Sequence, residues 1–126
     1  MAVKYTVSER GNPLQPQQPK KWYANAKSTG DTTLRALGKE IAARSTVAPA
    51  DTQAVLVALT EVLVEHLAEG KIVRLGDFGA FQVSISSNGA ETKEKFNAAL
   101  IKSNKVVFRP GIDLKEMQKT LKYEKV

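Results

Sequence analysis

The stretch from Pro49 to about Glu69 constrains the fold more than any other part of the chain. Its apolar residues are Val55, Leu56, Val57, Leu59, Val62, Leu63, Val64 and Leu67. At helical spacing they cover most of the circumference, whereas a surface helix needs an apolar stripe only about 100° wide. Pro49 suits the first helical position, Asp51 lies near the positive end of the helix dipole, and Gly70 suits a left-handed stop. A chain of 126 residues makes one ordinary domain. It offers one other long helical pattern, Leu34, Leu37 and Ile41, entered through Thr32 or Thr33 as N-cap and broken at Ser45–Ala48. The second helix is either central within the monomer or covered by a second subunit; with only one other long helix at hand, a second subunit is the expected cover and the chain is expected to be a dimer.

The flanking segments alternate with the period of strands. Val3, Tyr5 and Val7 do so at the start. The three prolines Pro13, Pro16 and Pro19 then impose an extended connector, and Trp22 to Lys27 suits a second short strand. Together these make an extension, residues 1–31, ahead of a domain over residues 32–126. After Gly70, Lys71 to Leu75 reads as a strand. Gly76-Asp77-Phe78-Gly79 reads as a turn whose glycines take positive φ, and Ala80 to Ser86 as a strand. Asn88-Gly89 is a hairpin-type turn signal, Glu91 to Ile101 is helical or irregular, and Lys105 to Phe108 is a strand. A short helix from a capping Asp113 to about Lys122 closes the chain, with Leu114, Met117 and Leu121 on one face.

The charge is uneven. The formal net charge is +6. Residues 1–30 carry five basic side chains against one acidic, 31–70 three against six, and 71–126 eleven against six. Positive charge at both ends of a chain suits a polyanionic partner. Several chemistries are excluded. There is no cysteine, which removes disulfides, thiol catalysis and thiolate metal sites, and the one histidine, His66, has no second ligand. No nucleophile–base pair or phosphate loop occurs, so neither an enzyme, a cofactor nor a small-molecule substrate is expected. Asp77-Phe78-Gly79 spells a kinase tripeptide without the other motifs that give it meaning. No apolar run suggests a membrane span, and Met1 to Arg10 lacks the apolar core of a signal peptide, so a cytoplasmic location is expected.

Two turns carry a resemblance. Gly70-Lys71-x-Val73-x-Leu75-x-x-Phe78-Gly79-x-Phe81 and Phe108-Arg109-Pro110-Gly111-x-x-Leu114-Lys115, behind a helix pair from Leu34 to Glu69, resemble the bacterial histone-like HU/IHF family over about residues 32–122. With its basic, proline-bearing start, the chain looks like the HU-like branch of the Bacteroidetes type. The resemblance implies an α+β fold. Two helices lie under a three-stranded antiparallel saddle with an arm excursion and a short C-terminal helix, in an intertwined homodimer. It implies a nucleoid protein that binds double-stranded DNA largely without regard to sequence, by phosphate contacts and bending.

The DNA-binding residues expected from that match are Lys71, Arg74, Lys93, Lys95, Lys102, Lys105, Arg109, Lys115 and Lys119. The arm, Ser84 to Asn104, departs from the family in having no proline and no arginine, with serines at 84, 86 and 87. Phe96 is the one candidate for an intercalating wedge. Asp77 places a carboxylate where it would repel phosphate. These departures leave a second reading open, a dimeric protein-interaction module of the same fold with weakened DNA binding. A third is single-stranded nucleic acid on Lys20, Lys21 and Lys27 around Trp22 and Tyr23, although those two aromatics are expected rather to pin the extension to the domain.

Overall fold

The register of the strands decides which side chains share a face. The computed structural model describes all residues, Met1–Val126. In chain order it contains β1 (Val3–Arg10), β2 (Lys21–Lys27), α1 (Leu34–Ala43), α2 (Pro49–Ala68), β3 (Val73–Arg74), β4 (Gly79–Ser87), β5 (Ile101–Pro110), α3 (Ile112–Lys119) and β6 (Tyr123–Lys125). The strands form two three-stranded sheets, β2-β1-β6 and β3-β4-β5. The chain divides into two compact units, Met1–Thr33 with Met117–Val126, and Leu34–Glu116. Residues 117–126, which the sequence pattern joined to a domain beginning at 32, group with the N-terminal strands. No helix is long and apolar enough to cross a membrane.

In the first unit, β1 and β2 run antiparallel from Lys4 opposite Lys27 to Arg10 opposite Lys21. Between them lies the proline connector, where no ladder could persist. The other edge is β6, parallel to β1, with Val3 beside Tyr123 and Tyr5 beside Lys125. The Val3 amide donates to the Lys122 carbonyl (2.8 Å), and the Val126 amide donates to the Tyr5 carbonyl (3.0 Å). The expected closing helix is therefore shorter than its pattern. It ends at Lys119, and the next residues serve a strand.

In the second unit, α2 starts at Pro49 with Asp51 in its first turn. It ends at Ala68, capped by Glu69 and stopped at Gly70 (φ 82°), where the Gly70 amide donates to the Leu67 carbonyl (3.0 Å) and the Lys71 amide to the His66 carbonyl (3.2 Å). These paired bonds are the Schellman stop that a glycine permits. They also claim Lys71, so β3 is confined to Val73 and Arg74 where Lys71 to Leu75 was expected. Helix α1 crosses α2 at Gly38, where an added Cβ would strike the Gln53 side chain. Gln53 Nε2 donates to the Arg35 carbonyl (2.9 Å).

No hydrophobic side chain of the chain is buried. On α2, Val55 is 63 % and Val64 66 % exposed, and Leu34, Leu37 and Ile41 of α1 are exposed as well. The two helices meet each other and leave most of their apolar surface open.

Candidate nucleic-acid interface

The candidate interface is built on the β3-β4-β5 sheet. Strands β4 and β5 pair antiparallel from Gly79 opposite Pro110 to Ser87 opposite Ile101. Side chains directly opposite share a face. One face carries Val73, Phe81, Val83, Ile85, Val106 and Phe108, with Asn104 opposite Ile85 at its far end. Its centre is aromatic, with Phe108 4.7 Å from Phe81 and 5.7 Å from Phe78, ring centre to ring centre. The other face carries Arg74, Ala80, Gln82, Ser84, Ser86, Ser103, Lys105, Val107 and Arg109.

Across that polar face Arg74, Ala80 and Arg109 lie in one row. The methyl group of Ala80 is the only side chain between the two guanidinium stems. Together with Gly76, Gly79, Pro110 and Gly111 these three line a shallow concavity of about 160 Å³. The planar guanidinium fork of arginine is suited to holding two oxygens of one phosphate. Four register positions further on, Lys105 faces Ser84, and a second concavity of about 260 Å³ is lined by Ser84, Ile85, Ser86, Ser103, Asn104 and Lys105.

Two glycines make the end of this face possible. At Gly79 (φ 156°) a Cβ would lie 2.6 Å from the Arg109 carbonyl oxygen. At Gly111 it would collide with the Asp77 backbone. The Gly111 amide donates to the Phe78 carbonyl (2.8 Å) and the Asp113 amide to Asp77 (3.0 Å), docking the turn onto the start of α3. Asp113 thus lies inside the first turn of α3 rather than capping it, since the helix begins at Ile112. The Asp77 side chain is exposed at this turn.

The excursion between β4 and β5 is a folded tip on a short ribbon. The Asn88 amide donates to the Leu100 carbonyl (2.8 Å), so Asn88-Gly89 opens a closed loop over residues 88–100 and does not form a two-residue hairpin turn. Inside it, Asn97 Oδ1 accepts from the Ala99 amide (2.9 Å), capping a short 3₁₀ turn at Ala98–Leu100. Lys93 and Lys95 sit in the tip, and Lys95 Nζ pairs with Glu91 at 3.4 Å. Phe96, the candidate wedge, is 42 % exposed there. The ladder slips between Ser86 and Ser87, leaving Lys102 opposite no residue of β4.

Of the nine expected cations, Arg74, Lys105 and Arg109 thus share one face. Lys93, Lys95 and Lys102 lie at the tip and the bulge. Lys71 is held by Glu69 at 2.9 Å, an exposed pair of small energetic weight. Lys115 is exposed on α3, while Lys119 belongs to the other unit. Trp22 and Tyr23, expected to pin the extension, are both exposed. Trp22 is 65 % exposed, and it faces the opposite side of β2 from Tyr23.

Comparison with known proteins agrees with this architecture. Residues 1–125 match the family model HU-HIG, described as an HU domain fused to a wHTH, Ig or glycine-rich motif. The chain belongs to that family. Among solved structures it is similar to one described as a "putative bacterial DNA binding protein" from Bacteroides vulgatus ATCC 8482. The TM-score is 0.66 at 16 % identity, over 99 % of this chain and 48 % of that one. The chain thus spans about half the length of that protein, and the likeness is one of fold. No curated protein matches.

Proposed function

We propose that the chain is a non-enzymatic, histone-like DNA-binding protein that acts as a homodimer. It grips duplex DNA through phosphates, largely without reading bases, and bends it. The observation that carries this reading is the Arg74–Ala80–Arg109 row with Lys105 on one sheet face of an HU-family chain. The residues involved are Arg74, Lys105 and Arg109 on the face, Lys102 at the bulge, Lys93 and Lys95 at the tip, and Lys71, Lys115 and Lys119 as flanking contacts. Phe96 is the one apolar side chain in the tip offered as a wedge. The homodimer reading rests on the open helices: the exposed valines and leucines of α1 and α2 want a cover, and a second copy brings the same apolar surface. A nucleoid location follows from the DNA reading.

The test is a titration against a fluorescent duplex, intact and nicked, at several salt concentrations. Backbone binding gives a linear fall of log affinity with log salt of about 0.9 per phosphate neutralised. Replacing Arg74, Lys105 and Arg109 by Gln lowers that slope by about 2.7 per chain if each holds one phosphate. Tighter binding to the nicked duplex marks bending, since a nick lowers the deformation energy. A slope unchanged by the substitutions removes this face from the reading.

A second reading has one observation in its favour. The unit Leu34–Glu116 carries eleven basic against ten acidic side chains, nearly neutral for a DNA-binding module. A folded dimer that binds no duplex at low salt would select the protein-interaction module instead.

A further inference from the structure

The chain's positive charge is concentrated in the smaller unit. Residues 1–33 and 117–126 carry eight basic and three acidic side chains, net +5 out of the chain's +6. The β2-β1-β6 sheet sorts these residues by face. One face holds Val3, Tyr5, Val7, Trp22, Ala24, Ala26 and Tyr123, with Glu9 and Lys125 at its ends. The other holds Lys4, Thr6, Ser8, Arg10, Lys21, Tyr23, Asn25 and Lys27, with Glu124 beside Lys4.

On this second face the cations stand in two directly opposed like-charge pairs, Lys4 opposite Lys27 and Arg10 opposite Lys21. Like charges directly opposite on adjacent strands destabilise a sheet. All four are exposed, and the two salt bridges of the chain, Lys71–Glu69 and Lys95–Glu91, involve none of them. The two pairs lie six register steps apart, about 20 Å along the strands. The surface between them is uncharged and polar. Asn25 Nδ2 donates to Ser8 Oγ (2.7 Å), Asn25 Oδ1 accepts from Arg10 Nη2, and the Arg10 guanidinium lies 6.0 Å from the Tyr23 ring centre. The Arg10 side chain thus lies along the sheet face, partnered by Asn25 and beside Tyr23.

We propose that this face is a second binding surface for the phosphodiester backbone of a nucleic acid, separate from the β3-β4-β5 face. An extended polyanion laid along β1 and β2 meets a cation pair at each end, one of them with Glu124 on its outer β6 side, and only neutral polar groups between. Its charge relieves both like-charge contacts. The inference does not depend on the β4–β5 reading, because it rests on the register and charge of the other unit.

The experiment uses the full chain and a triple variant, Lys4→Gln with Lys21→Gln and Lys27→Gln, leaving Arg10 and its hydrogen bond intact. Anisotropy titrations at several salt concentrations use a short duplex and the matching single strand. If each lysine engages one phosphate, the slope of log affinity against log salt falls by about 2.7 per chain for duplex or about 2.1 for single strand. Whichever strand form shows the fall identifies the source of the backbone. The matching triple Lys→Arg variant keeps the wild-type slope. The melting temperature of the Gln variant stays level or rises, because repulsion is removed.

Lysines on β2 could instead only block an exposed sheet edge. That role leaves the slope unchanged and shows as aggregation of the Gln variant, and an unchanged slope overturns the proposal. A second measurement needs no variant. In the wild-type protein, nucleic acid should protect Lys4, Lys21 and Lys27 from acetylation, read by mass spectrometry, and absence of protection overturns the proposal equally. A wild-type chain that binds neither strand form removes both nucleic-acid surfaces. Loss of the β4–β5 face alone, with Lys4, Lys21 and Lys27 still protected, removes only the reading given above under Proposed function.

Discussion

Gly79 and Gly111 hold the concavity around Arg74 and Arg109 in shape, and neither position has room for a methyl group. Gly79→Ala should cost roughly 1–3 kcal/mol, because the new Cβ meets a backbone oxygen that cannot turn aside. Thermal unfolding monitored by circular dichroism reads the loss directly. Gly70→Ala makes a useful contrast: nothing lies within 4 Å of its Cβ position, so only the left-handed φ of 82° is penalised. It should cost about 1 kcal/mol and leave DNA affinity unchanged. The glycines of the Gly76–Gly79 turn and the helix stop at Gly70 were legible in the sequence, since positive φ is a local demand. The collision at Gly111 was not, because Asp77 meets it only through the tertiary fold.

Among elements, the α1–α2 crossing is the junction that a substitution pair can dissect. Gly38→Ala alone displaces Gln53 and breaks its bond to the Arg35 carbonyl, a loss of about 1 kcal/mol. In a Gln53→Ala background the three atoms nearest to the new Cβ are gone. Gly38→Ala should then stabilise by up to about 1 kcal/mol through helix propensity. A double-mutant cycle in urea checks this, and additive effects would mean that the two side chains do not meet. Both helices were legible from apolar spacing and from Pro49 and Gly70. Strand β6 was not, because three residues, Tyr123 to Lys125, carry no period of their own and extend only against β1. For the same reason Ile101 to Asn104, a polar stretch, is strand only because β4 lies beside it.

For the whole molecule, the open faces of α1 and α2 are where the proposed homodimer is tested. Val64 is 66 % exposed in the single chain, so Val64→Glu would disturb little within one copy. In a dimer built on this face the same change buries a charge in an apolar contact. It should shift sedimentation toward monomer, and it should lower a melting temperature that in the wild type rises with protein concentration. A variant that sediments like wild type would move the dimer contact elsewhere.

The sequence by itself determined the order of the main elements, the two ends of α2, the turn glycines and the excess of apolar surface on α2. Each of these depends on residues within a turn or two of one another, where spacing and backbone preference act. Only the tertiary structure decided that Arg74 and Arg109 share a row, that Lys4 faces Lys27, and that Trp22 and Tyr23 part to opposite sides. In a sheet, a shift of one residue in register exchanges the two faces, and register is set by long-range hydrogen bonding that no local pattern specifies.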